Sequence, residues 1–140
     1  MRYVFFCLFL SPTFCLGADS LCVREVLVPG YPVLARVAKL QGSIVVELEI
    51  GRQGKILSAK ASGGHKFLMR EAEKNVLHWS FAPLPESEKV PLKHTITYVY
   101  KLEGKPVDYN PVPTVLLHLP DRVEITTRPL APQTSRPPPP

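Results

Sequence analysis

The chain has 140 residues, of which 45% are apolar, and it carries a formal net charge of +5. This length suffices for one small hydrophobic core. The basic residues form no cluster interleaved with aromatic residues, so the composition argues against a nucleic-acid-binding surface. We therefore expect one small domain that binds no nucleic acid.

The N-terminus has the features of an export signal. Arg2 precedes the apolar run YVFFCLFL, which Pro12 interrupts well before the roughly 20 residues that a membrane-spanning helix needs. Small residues at Gly17 and Ala18 offer a cleavage site. The pattern predicts a secretory signal peptide over residues 1–18 and a mature protein in the periplasm. The alternative is an uncleaved segment that anchors the chain in the inner membrane.

The three cysteines predict no disulfide framework. Cys7 and Cys15 lie in the predicted signal peptide, and Cys22 lies in a lead-in segment, residues 19–28. Cys22 is interpreted as a small apolar residue. A free thiol or an intermolecular disulfide is the alternative.

The first periodic segment predicts a helix followed by a strand hairpin. Pro32 suits a first helical turn, and the helix should run to about Leu40 and end at Gly42. From Ser43 the apolar period becomes two, which predicts a strand with one buried face formed by Ile44, Val46, Leu48 and Ile50. The glycines of GRQG, residues 51–54, predict a tight connection to a returning strand, KILSAKA.

A second helix and a third strand follow. Helical spacing predicts a second helix with one buried face. Trp79 and Phe81 should close the core where prolines end this helix. The residues on that face are Leu68, Ala72, Val76 and Trp79. The segment HTITYVYKL then alternates, which predicts a strand. Beyond Gly104, the segment PTVLLHLPDRVEITT predicts one or two further short strands.

These elements together predict an α+β fold. Two helices should pack on a small antiparallel sheet of about three strands, in the order helix, strand, strand, helix, strand, within a domain of residues 29–104. Residues 105–127 are expected to form an extension. The Pro-rich tail, residues 128–140, is expected to be disordered, because proline cannot complete a hydrogen-bonded ladder.

The order and spacing of several short motifs resemble the TonB C-terminal domain, the periplasmic part of bacterial energy transducers. The resemblance covers roughly residues 29–103. The matching residues are Tyr31 and Pro32, Ala35 and Arg36, Gln41 and Gly42, Gly54, Leu68, Ala72, and WSFAP at residues 79–83.

The resemblance implies a protein-binding module without enzymatic activity or cofactors. Such domains bind an extended segment of a TonB-dependent outer-membrane receptor by adding it as a strand to an exposed sheet edge. As the last core strand, the third strand was expected to supply this edge. The predicted partner-binding residues are Thr95, Ile96, Thr97, Tyr98, Val99 and Tyr100.

The alternatives are an enzyme and a self-associating adaptor. His65, His78, His94 and His118 match no metal-binding spacing, and no nucleophile motif is present, which disfavours an enzyme. The stronger alternative is a periplasmic adaptor that associates with itself through the open edge, as a homodimer, and transduces no energy.

Overall fold

The computed structural model describes residues 21–132. The predicted signal peptide and residues 133–140 of the tail lie outside this range. Within it the chain forms two helices and seven strands. They are β1 (Val23–Glu25), α1 (Val33–Val37), β2 (Gly42–Ile50), β3 (Ile56–Ser62), α2 (Lys66–Val76), β4 (Ser80–Phe81), β5 (Leu92–Leu102), β6 (Thr114–His118) and β7 (Arg122–Thr127).

The predicted α+β class is confirmed, and the sheet is larger than expected. Its strand order is β3-β2-β5-β7-β6. The three predicted strands pair antiparallel, with β2 between β3 and β5. β7 pairs parallel to β5, so the sheet is mixed rather than wholly antiparallel. The C-terminal hairpin of β6 and β7 supplies the two additional strands.

The core lies between the two helices and one face of this sheet. The alternating residues of β2 that the sequence predicts to be buried are all buried, and so is the predicted face of α2. β7 contributes Val123 and Ile125 to the same cluster. Trp79 and Phe81 close the core behind α2 as expected.

The helix α1 is shorter than the sequence predicts. It ends at Val37 instead of Leu40 because the next residues turn: Lys39 adopts a positive φ of 55° and its N–H donates to Arg36 O. Tyr31 fixes this turn from the other end, since its hydroxyl donates to Leu40 O at 2.5 Å.

The connection between β2 and β3 depends on Gly54. Its φ is +82°, and a Cβ there would lie 1.9 Å from Phe81 O. Phe81 N donates to Gly54 O at 2.8 Å, which joins the hairpin turn to the exit of α2. No other residue type fits this position.

The first residues of the Pro-rich tail dock on the domain, whereas the sequence predicts disorder from residue 128. Leu130 is buried, and its backbone neighbours bond to Val107 on both sides: Val107 N donates to Pro129 O and Ala131 N donates to Val107 O. Residues 128–132 of the predicted tail therefore dock on the domain, whereas residues 133–140 lie outside the described residues and their disorder stays a prediction. An apolar residue between prolines suffices to dock this segment, although it cannot form a strand ladder.

The lead-in segment is also structured. β1 pairs with β4 antiparallel and forms a small second sheet. Cys22, just before β1, is disulfide-bonded, which corrects its interpretation as a simple apolar residue. Neither helix of residues 21–132 has the length and apolar character that crossing a membrane requires.

Candidate partner-binding site

The six residues predicted to bind a partner lie in β5, in the middle of the sheet. β2 covers one side of the strand from Leu92 to Tyr100. β7 covers the other side from Thr97 to Leu102. The expectation that β5 is an open edge is therefore wrong, because the extension returns as a hairpin and pairs with it.

The backbone of β5 shows how this cover is made. Thr97 N donates to Asp121 O at 2.8 Å, and Glu103 N donates to Thr127 O at 2.9 Å. Backbone groups of alternate residues point to the same side of a strand, so those of Thr97, Val99 and Lys101 face β7. Those of Thr95 also point this way but lie before β7 begins.

The side chains of the six residues divide between the two faces of the sheet. Ile96, Tyr98 and Tyr100 are buried in the core, while Thr95 is exposed on the opposite face. Burial raises the pKa of both tyrosines above the usual value of 10.0. The structure therefore does not bring these six residues together as one accessible surface.

Asn75, on α2, connects these tyrosines to the helix. Its Oδ1 accepts hydrogen bonds from Trp79 Nε1 at 3.1 Å and from Tyr98 Oη at 2.8 Å. Its Nδ2 donates to Leu27 O at 2.9 Å. One buried amide thus satisfies two buried donors and a carbonyl of the lead-in segment.

The hairpin of β6 and β7 is held by contacts that the sequence did not predict. Arg36, buried under the extension, donates from Nε to Arg128 O at 3.1 Å and from Nη1 to Asn110 Oδ1. Burial lowers the pKa of Arg36. On the opposite face of the sheet, Glu124 pairs with Lys101 at 3.3 Å and Arg122 at 2.9 Å. The hydrogen bond from Lys101 is the main cause of the lowered pKa of Glu124.

β6 forms one outer edge of the sheet in residues 21–132. Its sequence, TVLLH, contains no Lys, Arg, Asp, Glu or Pro. Leu116 is 53% exposed and Leu117 is 40% exposed, and the neighbouring residues Val112 and Leu119 are exposed as well. An edge strand without charges, proline or bulge can pair with another extended chain.

β3, the other outer strand, is better protected. The carboxylate of Glu73, on α2, accepts a hydrogen bond from Ala61 N at 2.8 Å and so occupies part of the edge. Lys60 adds a charge, and the register with β2 shifts between Glu49 and Ile50. Charges and irregular pairing of this kind discourage strand addition. Of the two outer edges in the described chain, β6 is therefore the more accessible.

The histidines do not form a site. His65 Nδ1 accepts a hydrogen bond from Phe67 N and caps α2. His94 Nε2 lies 3.3 Å from Asp121 Oδ1 and 3.2 Å from Pro120 O, which fixes the turn between β6 and β7 against β5. Within residues 21–132, no three His, Cys, Asp or Glu side chains are placed to hold a metal ion.

The periodicity of the sequence predicts the strands of the extension but does not predict that β6 forms an edge of the sheet. The alternation of Val123, Ile125 and Thr127 predicts a strand with a buried face, and the apolar run before Pro120 predicts another. Which existing strand this pair joins depends on long-range pairing, which local periodicity does not specify.

Residues 28–102 match the model of a protein family described as the C-terminal domain of the TonB protein of Gram-negative bacteria. The match ends where β5 ends, so the hairpin of β6 and β7 lies outside it. No curated protein matches the chain.

Proposed function

Because the chain belongs to the TonB C-terminal domain family, whose members are periplasmic, non-enzymatic protein-interaction domains, we propose that it binds an extended segment of a partner protein by strand addition. The proposed binding element is the outer edge of β6. The incoming segment would pair its backbone with the side of β6 that faces away from β7.

The observation that supports this proposal is the difference between the strands of the sheet. β5, the strand at which the family match ends, is paired on both sides from Thr97 to Tyr100. β6 is paired only with β7 among the described residues, and Leu116 projects an exposed apolar side chain from it. The extension covers the edge of β5 and forms a new outer edge at β6.

The proposed partner is a TonB-dependent outer-membrane receptor, and the proposed setting is energy-coupled transport in the periplasm after export by the predicted signal peptide. Family membership supports this partner class. The edge strand β6 is short. Pockets for alternate side chains of the added segment would therefore supply only part of the specificity for the partner.

A matched pair of variants tests the binding edge. Leu116→Lys places a charge on β6, whereas Leu57→Lys places the same charge on β3, where Leu57 is 62% exposed. The probe is a synthetic peptide that copies the TonB box of a receptor encoded in the same genome. We expect Leu116→Lys to weaken peptide binding at least tenfold and Leu57→Lys to leave it unchanged, as measured by fluorescence anisotropy. Equal binding by both variants and the wild type would exclude β6 as the edge.

Self-association is a second candidate function, favoured by the same uncharged edge. Two copies could pair β6 with β6 around a twofold axis. Sedimentation equilibrium measures the solution mass. A dimer that Leu116→Lys converts to a monomer would support this alternative, and a monomer at all concentrations would remove it.

A further inference from the structure

A groove of about 270 Å³ separates α1 from α2 on the helical side of the domain. Its apolar lining consists of Pro32, Val33 and Leu34 from α1 and the turn before it, together with Phe67 from α2. Val33 is 51% exposed, Leu34 is 66% exposed, and Phe67 is 38% exposed. This is a concave apolar surface open to solvent, on elements separate from β6.

A row of three cations runs along α2 beside this groove. Lys66, Arg70 and Lys74 are exposed and follow one another at intervals of four residues, which places them on one face of the helix. Arg70 and Lys74 line the groove. Like charges at this spacing repel one another and destabilise an isolated helix.

The contacts of the row within residues 21–132 leave it positively charged: Lys66 Nζ lies 5.7 Å from the centroid of the Phe67 ring, a cation–π contact that does not remove the charge. None of the ion pairs within residues 21–132 involves these three side chains. The one acidic residue in the lining, Glu71, is partly buried. Its Oε1 lies 4.0 Å from the position that a Cβ would occupy at Gly30, and its charge contributes to the raised pKa of the buried Tyr100.

We propose that this groove binds an acidic peptide segment that inserts one large apolar side chain between α1 and α2. The carboxylates of the segment would neutralise Arg70 and Lys74, and the apolar side chain would cover Val33, Leu34 and Phe67. The concave shape suits a single side chain better than a flat lipid surface. The site would act in addition to strand pairing, because β6 lies at the far edge of the sheet from β3, on which α2 packs.

The probe is the synthetic peptide DDEFEDD, and the readout is the change in backbone amide NMR shifts of the purified protein. We expect the shifts to change around Val33, Leu34, Phe67, Arg70 and Lys74. The peptide DDEGEDD, which lacks the aromatic side chain, should bind at least tenfold more weakly. Shift changes elsewhere, or equal binding of the two peptides, would overturn the proposal.

Charge reversal gives the sharper test. Arg70→Glu combined with Lys74→Glu should weaken binding of DDEFEDD at least tenfold and should create binding of KKRFRKK. The matched control combines Lys60→Glu with Lys93→Glu, which changes the net charge equally on the opposite face of the sheet. Circular dichroism establishes that both double variants are folded.

Leu34→Ser tests the apolar contact without changing charge, and its high exposure means that the fold should tolerate it. It should also weaken binding of DDEFEDD. Binding that survives both the charge reversal and Leu34→Ser would contradict the proposal. Absence of DDEFEDD binding together with binding to phosphatidylglycerol vesicles would contradict it as well and would identify a lipid surface instead.

Discussion

Arg36 joins the part of the chain that matches the family to the extension behind it. Only 1% of its surface is exposed, and its bonds reach Arg128 O and Asn110 Oδ1, which lie beyond the matched residues. Burying a guanidinium without a carboxylate is costly, and hydrogen bonds to neutral acceptors offset part of this cost. Arg36 therefore stabilises the docked extension only while both acceptors stay in place.

The raised pKa of Tyr31 predicts how the stability of the domain changes at alkaline pH. Burial raises its pKa from 10.0 to about 12, against a smaller opposing effect of Arg36. The folded state thus favours the neutral phenol, so this contribution is fully present below pH 10 and is lost as the pH rises towards 12. Between pH 10 and 12 the free energy of unfolding should therefore fall less steeply for Tyr31→Phe than for the wild type. The difference between the two slopes should be up to about 1.4 kcal/mol per pH unit.

Urea unfolding at a series of pH values measures this difference. At pH 7 the variant should be about 1 kcal/mol less stable, because it lacks the hydrogen bond to Leu40 O. Tyr98 and Tyr100 remain in both proteins and serve as an internal reference. Identical slopes above pH 10 would show that Tyr31 titrates normally.

Several residue roles could be predicted from the sequence because they are local. Gly54 sits in a turn that needs a positive φ, and Pro32 stands directly before the first helix as its N-cap residue. Asn75 could not be predicted. It lies on the buried face of α2, where a polar residue is unexpected, and its partners Tyr98 and Leu27 are distant in sequence.

At the scale of elements, sequence patterns predict the strands β2, β3 and β5 and one or two strands after Gly104, but they predict neither the short strands β1 and β4 nor the strand order. A strand with one buried face has the same pattern in the middle of a sheet as at its edge. Periodicity therefore predicts that β5 is a strand but cannot predict that it lies inside the sheet. β7 runs parallel to β5 after the turn around Pro120, and His94 of β5 contacts this turn.

Thr97→Pro should strongly destabilise the domain. The substitution removes the N–H that donates to Asp121 O, and it places a proline ring between paired strands. We expect a loss of about 3 kcal/mol or more in the free energy of unfolding. Chemical denaturation followed by circular dichroism measures this loss.

Thr95→Pro is the matched control. The N–H of Thr95 points to the same side of β5 but precedes the first residue that pairs with β7. The control should therefore cost clearly less stability than Thr97→Pro. Equal stability of Thr97→Pro and the wild type would mean that β7 does not cover β5 in solution.

Truncation separates the docked part of the tail from the remainder. Deleting residues 128–140 removes the burial of Leu130 and the acceptor for Arg36 Nε, which should cost about 2–5 kcal/mol. Deleting residues 133–140 keeps both contacts and should leave the melting temperature unchanged. If calorimetry gives the same melting temperature for both truncations, residues 128–132 do not stabilise the domain.

At the scale of the whole molecule, the chain is a family domain enlarged by a hairpin. The core made by α1, α2 and the strands up to β5 follows the predicted order of elements. The hairpin buries Val123 and Ile125 against this core and moves the outer edge of the sheet from β5 to β6. The predicted binding residues of β5 do not lie at an open edge, because the extension, which lies outside the matched part of the chain, pairs with this strand. Their role in partner binding stays a prediction.

Hydrogen–deuterium exchange with and without the TonB-box peptide tests the β6 edge most directly. We predict that the free protein exchanges quickly on the open side of β6, that the peptide slows exchange in Thr114–His118, and that residues 97–102 are protected in both states. Slower exchange in residues 95–100 together with faster exchange in Arg122–Thr127 would contradict this account. It would show that the partner displaces the hairpin and pairs with β5.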